Sequence, residues 1–216
     1  MSLQQQLAKF NPIDLKQMDR VKLLKRTDTK YLLSKTTLIE LLPDLLDHYF
    51  ALEIKGKREA SYQTTYLDTE NKDYYFQHHQ GKPKRHKVRF RNYIESDLSF
   101  LEVKLKHKGA TDKKRISTNF SFPMSKNQET FLQEWIPENP ADLKQILQNT
   151  FSRITLAHKT EEERVTIDFN LKFEDQNNKV DISEPIIIEV KQSGLNRNSK
   201  INTLLRAKQI RPQRLS

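Results

Sequence analysis

The sequence has no cysteine and only four glycines among its 216 residues. Without cysteine, disulfides, thiolate metal sites and a cysteine nucleophile are excluded. Neither a P-loop nor a G-x-G-x-x-G pattern occurs, and so few glycines leave little room for a glycine-rich phosphate loop. The usual nucleotide cradles are therefore excluded as well.

Long apolar runs are also missing. No stretch approaches the roughly 20 apolar residues needed to cross a bilayer. The first residues, MSLQQQLAKF, lack the apolar centre of a signal peptide. Together with the missing cysteines, this pattern predicts a soluble protein in a reducing, cytoplasmic environment.

Positive charge is what the chain has in excess. Lysine and arginine number 38 against 28 aspartates and glutamates, which gives a formal net charge of +10. Such an excess favours an anionic partner: nucleic acid, a membrane surface or a phosphate compound. The length, and the absence of repeats or Gly/Ser linkers, predict one domain over residues 1–216.

Alternating, β-branched and aromatic residues predict a mainly β chain of the α+β class. The predicted strands are Arg26–Leu33, Ser61–Leu67, Lys84–Tyr93, Phe100–Lys106, Lys113–Phe122, Phe151–His158, Arg164–Phe173 and Ile186–Lys191. The predicted helices are Thr36–His48, kinked at Pro43, parts of Gln128–Gln148, and Ser199–Lys208. We expect the strands to form an antiparallel meander that closes into a barrel of about eight strands, with the helices outside.

The predicted strands sort their charges onto one face. Alternate residues of a strand share a face, and in Arg164–Phe173 every even position is polar and every odd position apolar. The same sorting on the other strands gives eleven cations and four acids on the polar faces, an excess of seven. The cations are Arg26, Lys30, Arg89, Arg91, Lys104, Lys106, Lys113, Arg115, Arg153, Arg164 and Lys191, and the acids are Asp28, Glu102, Asp168 and Glu189.

Two interpretations of these charged faces are open. For any one strand, an ordinary solvated sheet face is the simpler interpretation. A solvated face usually mixes charge signs and small polar residues, however, whereas lysine and arginine recur here on strand after strand. Like charges at about 4 Å repel by about 4 kcal/mol at a surface-like effective dielectric constant, so a bound polyanion would explain the crowding.

The segments that carry this pattern resemble the vacuolar transporter chaperone (VTC) domain, the polyphosphate polymerase branch of the triphosphate tunnel metalloenzyme superfamily. The resemblance covers nearly the whole chain. It rests on the segments RTDTKY from Arg26, YLDT from Tyr66, VRFRNY from Val88, FLEVK from Phe100, FSR from Phe151, RVTID from Arg164, IEVK from Ile188 and PQRLS from Pro212.

The resemblance implies a basic β-barrel tunnel that holds ATP, triphosphate or polyphosphate. It implies that the phosphate-binding catalytic residues are Lys30, Arg89, Arg91, Lys104, Arg153, Arg164 and Lys191. Further substrate contacts are expected from Arg26, Lys113, Arg115, Arg214 and Ser216. Glu189 would bind Mn²⁺ or Mg²⁺ as the cofactor. The resemblance is also compatible with a membrane protein as a partner.

The implied activity is metal-dependent phosphoryl transfer from ATP to a polyphosphate chain. Such transfer requires that the reacting phosphates are positioned and their charge is neutralised. The end of a polyphosphate chain is already ionised, so no general base is needed to activate it. With water as acceptor, a carboxylate such as Glu102 would have to orient it, which would make the chain a tripolyphosphatase. A polyphosphate-binding module without activity is the main alternative outside the enzymes.

Nucleic acid binding is a further alternative. The aromatic residues Tyr62, Tyr66, Tyr74, Tyr75 and Phe76 are candidates for stacking on bases beside basic residues. Aromatic clusters of this kind are more often part of a core, so we expect phosphate compounds and not nucleic acid as the partner.

Overall fold

The computed structural model describes residues 1–18, 26–107 and 110–215. The chain forms two compact units. Unit 1 comprises Met1–Ser61, Phe151–Leu171 and Asp181–Ser216, and unit 2 comprises Tyr62–Thr150 and Lys172–Val180. The single domain expected from the sequence stays a prediction.

Strands dominate the described residues, as the sequence predicts. They are β1 Asn11–Ile13, β2 Thr27–Leu33, β3 Tyr49–Leu52, β4 Ala60–Asp68, β5 Arg85–Tyr93, β6 Leu98–His107, β7 Ala110–Ser117, β8 Lys144–His158, β9 Glu163–Glu174, β10 Lys179–Ile182 and β11 Ile186–Gln192. The helices are α1 Leu3–Leu7, α2 Leu15–Met18, α3 Lys35–Leu41, α4 Asp73–His79, α5 Lys126–Trp135 and α6 Lys200–Ala207, with 3-10 helices at Leu42–Leu45 and Pro140–Asp142. Within the described residues, no helix has both the length and the apolar character needed to cross a membrane.

The sheet has eleven strands and is not closed by hydrogen bonds. Its main path runs β2-β11-β9-β8-β4-β5-β6-β7, and β1, β3 and β10 pair to the side of this path. Among the described residues, no backbone pairing joins the end strands β2 and β7. The predicted closed barrel of about eight strands is therefore wrong. Alternation along a strand shows which residues share a face, but it does not show which strands pair.

The apolar face of the unit 1 strands carries a core that is covered by helices. Strands β2, β11 and β9 contribute Tyr31, Ile188 and Ile167, which pack with residues of α1, α3 and α6. Pro43 ends the α-hydrogen-bonding pattern because it has no N–H group, and the chain continues as a 3-10 helix from Leu42 to Leu45. The predicted kink lies at this proline, within the predicted helix Thr36–His48.

Unit 2 packs its sheet against α4 and α5. Val88 and Phe90 of β5 and Val103 of β6 form its core with Tyr74 of α4 and Leu132 of α5. In both units the residues with apolar parity are therefore buried against helices. The polar parity of each strand lies on the opposite face of its sheet.

Two predicted segments differ from the structure. Strand β8 begins at Lys144 and not at Phe151, and the α-helical part of the predicted stretch Gln128–Gln148 ends at Trp135, before Pro137 and Pro140. Leu143, Ile146 and Leu147 have helical spacing, but strand pairing overrides it. Strand β7 ends at Ser117, which is paired with Phe100 of β6, and not at Phe122.

Candidate functional site

Each unit carries a charged sheet face. In unit 2 it is formed by β5, β6 and β7, and we call it the lysine–arginine face. Its cations are Arg85, Lys87, Arg89 and Arg91 on β5, Lys104 and Lys106 on β6, and Lys113 and Arg115 on β7. Glu102 is the acid that these three strands place on the same face. The face is therefore strongly positive.

Strand register arranges the lysine–arginine face in rows. Directly paired residues of antiparallel strands lie side by side on one face. Lys104 is paired with Lys87 on one side and with Lys113 on the other, which places three lysines in one row. In the neighbouring row Glu102 lies between Arg89 and Arg115.

Glu102 compensates part of this charge. Its Oε2 accepts a hydrogen bond from Nε of Arg89 at 2.8 Å and lies 2.7 Å from Nη2 of the same guanidinium group, and Lys113 Nζ contacts its other oxygen. Burial alone would raise the pKa of the Glu102 carboxyl, but Arg89 and Lys113 outweigh it and lower the pKa to about 2. Glu102 is therefore an ionised structural partner of these cations, and a poor general base.

The arginines of this face are unusually buried. Arg89 is 8% exposed and Arg91 is 9% exposed, and Arg91 Nε donates to Thr64 Oγ1 at 3.2 Å. Solvated sheet faces keep their arginines in water. The interpretation of this face as an ordinary solvated surface therefore fails for these two residues.

Lys104 is held in a cationic environment. Burial lowers the pKa of its ammonium group, Arg89 and Arg91 act in the same direction, and the resulting pKa is about 7. Glu102 opposes this effect and Lys113 adds to it. A phosphate group placed beside Lys104 would reverse the balance and restore its proton.

The charged face of unit 1 is different, and we call it the ion-pair face. It consists of Asp28 and Lys30 on β2, Glu189 and Lys191 on β11, Arg164 and Asp168 on β9, and Arg153 on β8. Lys191 is paired with Asp28 on one side and with Arg164 on the other, while Glu189 is paired with Lys30 and Thr166. Cations and acids nearly balance on this face.

Most charges of the ion-pair face have a partner of opposite sign. Arg153 donates from Nε and Nη2 to both oxygens of Asp168, at 2.5 and 2.6 Å. Lys191 Nζ contacts Glu189 and lies 3.9 Å from Asp28 Oδ2, and Arg26 Nε donates to Asp28 Oδ1 at 2.9 Å. The positive excess predicted for the polar faces is therefore concentrated on unit 2, and the carboxylates on unit 1.

The C-terminal segment lies along β2. Gln213 donates its backbone N–H to the carbonyl of Lys30 at 2.8 Å, and Lys30 Nζ donates to the carbonyl of Leu215 at 3.1 Å. Arg214 is exposed in this segment, and Ser216 lies outside the described residues. The segment therefore contacts a predicted phosphate-binding lysine directly.

The comparisons with known proteins agree with this architecture. The sequence profile of the VTC domain matches residues 25–216. The chain belongs to the VTC domain family. No curated protein matches the sequence.

Solved structures share the fold of this VTC domain. A candidate adenylate cyclase from Bacillus halodurans is 15% identical with a TM-score of 0.56, and the match covers 89% of this chain and 94% of that one. A candidate adenylate cyclase from Vibrio parahaemolyticus is 10% identical with a TM-score of 0.51, over 89% and 94%. The PH1819 protein from Pyrococcus horikoshii is 12% identical with a TM-score of 0.50, over 88% and 91%. At these identities the likeness concerns the fold alone.

Glu189 is the predicted metal ligand of this VTC domain. The described residues contain no group of three or more His, Asp or Glu side chains that could hold a metal. Burial opposes ionisation of Glu189, but Lys191, Lys30 and Arg153 prevail and lower the pKa of its carboxyl, so the carboxylate is charged. Mg²⁺ in phosphate-transfer sites is commonly held by one or two carboxylates plus substrate phosphates, which is a donor set that Glu189 can join.

The structure divides the predicted site residues between the two faces. Arg89, Arg91, Lys104, Lys113 and Arg115 lie on the lysine–arginine face. Lys30, Arg153, Arg164, Glu189 and Lys191 lie on the ion-pair face, with Arg26 bonded to its Asp28. Their convergence in one site stays a prediction.

Sequence reasoning missed two members of the lysine–arginine face. Arg85 and Lys87 share the parity of Arg89 and Arg91, and Lys87 lies directly opposite Lys104. The alternation along Arg85–Tyr93 contained this signal. On this strand the segment on which the family resemblance rests, VRFRNY, begins only at Val88, so these two cations were left out of the predicted site.

Proposed function

We propose that this VTC domain is a metal-dependent phosphotransferase that moves the terminal phosphate of ATP to a polyphosphate chain. The observation that carries the proposal is the lysine–arginine face, where four cations on β5, two on β6 and two on β7 share one carboxylate. Its central arginines are almost completely buried. A phosphate chain is the ligand that this charge pattern matches best.

Electrostatics support a bound polyanion. Two like charges at about 4 Å repel by about 4 kcal/mol when the effective dielectric constant is about 20. The row Lys87, Lys104 and Lys113 places three lysines side by side, and no acid lies in the same row on β5, β6 or β7. Ligand phosphates placed along this face would replace the repulsion with charge-assisted hydrogen bonds.

The side chains of this face suit phosphoryl transfer. The loose transition state spreads negative charge over the equatorial oxygens of the moving group. The guanidinium groups of Arg89 and Arg91 carry five N–H donors each, of which Arg89 directs Nε and Nη2 to Glu102, and Lys104 offers a compact charge. Since the end of a polyphosphate chain is already ionised, no protein nucleophile is required. These residues have to bind and orient the phosphates and neutralise their charge.

Glu189 on the ion-pair face would supply the protein's share of the metal site. Glu189 would hold Mn²⁺ or Mg²⁺ with phosphate oxygens, and the bound ion would polarise and neutralise the reacting phosphates. Lys191 and Lys30, which lower the pKa of Glu189, keep its carboxylate ionised for this role.

Hydrolysis to inorganic phosphate is less well supported. Water as acceptor would need a carboxylate to activate or orient it, and Glu102 was the predicted candidate. Its oxygens are occupied by Arg89 and Lys113, and its pKa is lowered to about 2. A carboxylate in this state has little tendency to accept a proton near neutral pH.

Product analysis tests the proposal directly. The purified chain is incubated with ATP and Mn²⁺, and phosphate, ADP and long-chain polyphosphate are resolved. We expect ADP and long-chain product. ADP with only free phosphate would assign a phosphatase, tripolyphosphate binding without turnover would assign a silent module, and absence of tripolyphosphate binding would refute the phosphate-binding function altogether.

A further inference from the structure

A buried hydroxyl group on the ion-pair face has no hydrogen-bond partner among the described residues. Thr166 of β9 is paired with Glu189 of β11, and Glu189 is paired with Lys30 of β2. Since directly paired residues share a face, the three side chains form one row on the ion-pair face. Thr166 is 3% exposed, and nothing in the described part of the chain hydrogen-bonds to its Oγ1. A polar atom is therefore buried beside the predicted metal ligand and a predicted phosphate-binding lysine.

Burial of this hydroxyl group without a partner destabilises the ligand-free fold. Most buried polar side-chain atoms have a hydrogen-bond partner, because a buried group without one loses its contact with water and gains no bond in exchange. Valine has nearly the same shape as threonine, lacks the polar atom and is equally common in strands. A position that served packing alone would therefore suit valine, which the next position of the same strand has at the fully buried Val165. The hydroxyl group indicates a ligand that supplies the missing partner.

The charges around Thr166 indicate which ligand this is. Along β9 it lies between Arg164 and Asp168, which share its face because alternate residues of a strand do so. Arg164 is paired with Lys191 in the neighbouring row, and Lys30 lies in the row of Thr166 itself. Three cations in two adjacent rows attract an anion. A threonine hydroxyl group donates readily to an anionic oxygen, and phosphate oxygens are common acceptors of such bonds.

We propose that Thr166 contacts the phosphate ligand directly and donates a hydrogen bond from Oγ1 to a phosphate oxygen held beside Glu189 and Lys30. The inference rests on the proposed phosphate-binding function. It gives the ion-pair face a part in holding the phosphates themselves, in addition to the metal ion that Glu189 is proposed to bind. Branching at Cβ restricts the rotamers of Thr166, so the side chain loses little conformational freedom when the ligand binds.

This role predicts opposite effects on stability and on binding. In the ligand-free protein, removal of the hydroxyl group removes a buried polar atom that has no partner, which should stabilise the fold. In the complex, the same change removes a hydrogen bond to a charged oxygen, which should weaken binding. A threonine that served the fold alone would not combine higher stability with lower affinity.

The test uses two substitutions of Thr166 and one matched control. Thr166→Val removes the hydroxyl group at nearly constant shape, and Thr166→Ser keeps it. Thr65→Val is the control, because Thr65 is another buried strand threonine, 6% exposed, but is paired with Phe90 on the apolar face of unit 2. Titration calorimetry measures the affinity for tripolyphosphate and for ATP, each with and without Mn²⁺. Scanning calorimetry gives the melting temperature of each ligand-free variant.

We expect Thr166→Val to weaken metal-free tripolyphosphate binding roughly tenfold or more, as the loss of a hydrogen bond to a charged group does. Its melting temperature should rise by about 2–4 °C. Binding by Thr166→Ser should stay close to that of the wild type, and Thr65→Val should leave the affinity unchanged. ATP and tripolyphosphate should be weakened by the same factor, since the contact is to a phosphate and not to the nucleoside.

Four results would overturn the assignment. Unchanged affinity of Thr166→Val would mean that the ligand does not contact the hydroxyl group. Weaker binding together with a lower melting temperature would assign the hydroxyl group to the fold. Weakening only in the presence of Mn²⁺ would place it on the metal ion, and weakening of ATP alone would place it beside the nucleoside.

The wild type reports separately on the proposed function. Tripolyphosphate binding by the wild type that Thr166→Val fully retains would refute only the role of Thr166. Absence of tripolyphosphate binding in the wild type would refute the proposed function and this inference together.

Discussion

Arg89 and Glu102 form a buried pair at the centre of the lysine–arginine face. Two nitrogens of the guanidinium group bond one carboxylate oxygen at 2.8 and 2.7 Å, and Glu102 has no exposed surface. Lys113 contacts the other oxygen. The carboxylate therefore stabilises two cations that would otherwise repel each other, and both belong to the predicted phosphate-binding set.

Replacing Glu102 by Gln should destabilise the fold in a pH-dependent way. The pKa is lowered from 4.5 to about 2, so the ionised carboxylate contributes stability that is fully present above pH 4.5 and is lost as the pH falls toward 2. The shift corresponds to about 3 kcal/mol of unfolding free energy at neutral pH. Unfolding of wild type and Glu102→Gln across this pH range should show a gap that narrows on acidification. A constant gap would show that the charge of Glu102 is not responsible.

Phosphate binding should be coupled to proton uptake by Lys104. Burial and the neighbouring Arg89 and Arg91 lower its pKa to about 7, so part of the Lys104 population is neutral near neutral pH. A bound anion raises that pKa, and affinity for tripolyphosphate should therefore fall as the pH rises above 7. Titration in two buffers of different ionisation enthalpy measures the protons taken up. Lys104→Met should abolish most of this uptake, and uptake unchanged in this variant would assign it to another group.

Lys87 should belong to the binding site although the sequence-based prediction omitted it. Since it lies directly opposite Lys104, Lys87→Met should weaken tripolyphosphate binding roughly tenfold, or about 1.4 kcal/mol. Lys114→Met is the matched control, because Lys114 is paired with Val103 and lies over the Trp135 ring on the opposite face of the sheet. Equal effects of the two substitutions would indicate a general charge effect and exclude a local role for Lys87.

The variant Glu189→Gln should show whether Glu189 binds the metal or serves only as the ion-pair partner of Lys191. If Glu189 holds the metal, the variant loses Mn²⁺-dependent turnover, while metal-free tripolyphosphate binding stays the same or becomes tighter because one negative charge is removed. Asp28→Asn is the control, since it removes a carboxylate near the same Lys191 ammonium group, 3.9 Å away. Activity, melting temperature and metal-free affinity are measured on both variants.

A purely structural Glu189 would give a different result. Its contact with Lys191 would then be the main role, and Glu189→Gln would lower melting temperature and phosphate affinity together. Unchanged Mn²⁺-dependent activity in the variant would remove Glu189 from the catalytic site.

The sequence by itself determined the faces of the strands. A strand repeats every two residues, so the order of charged and apolar side chains along Arg85–Tyr93 or Arg164–Phe173 is enough to assign each residue to one side. Val88 and Val165 are accordingly buried in cores, and Arg89 and Arg164 lie on the charged faces. Local periodicity also located most strands, but it missed the first residues of β8, which begins at Lys144 and not at Phe151.

Only the tertiary structure decided which charges are neighbours. Pairing between strands placed Lys104 between Lys87 and Lys113 and Arg89 beside Glu102. It also placed Glu189 beside Lys30, and Glu189 contacts Lys191. The sequence pattern also did not predict that the sheet is open. Register and closure depend on contacts between residues far apart in the chain, and a period of two along one strand contains no information about its partner.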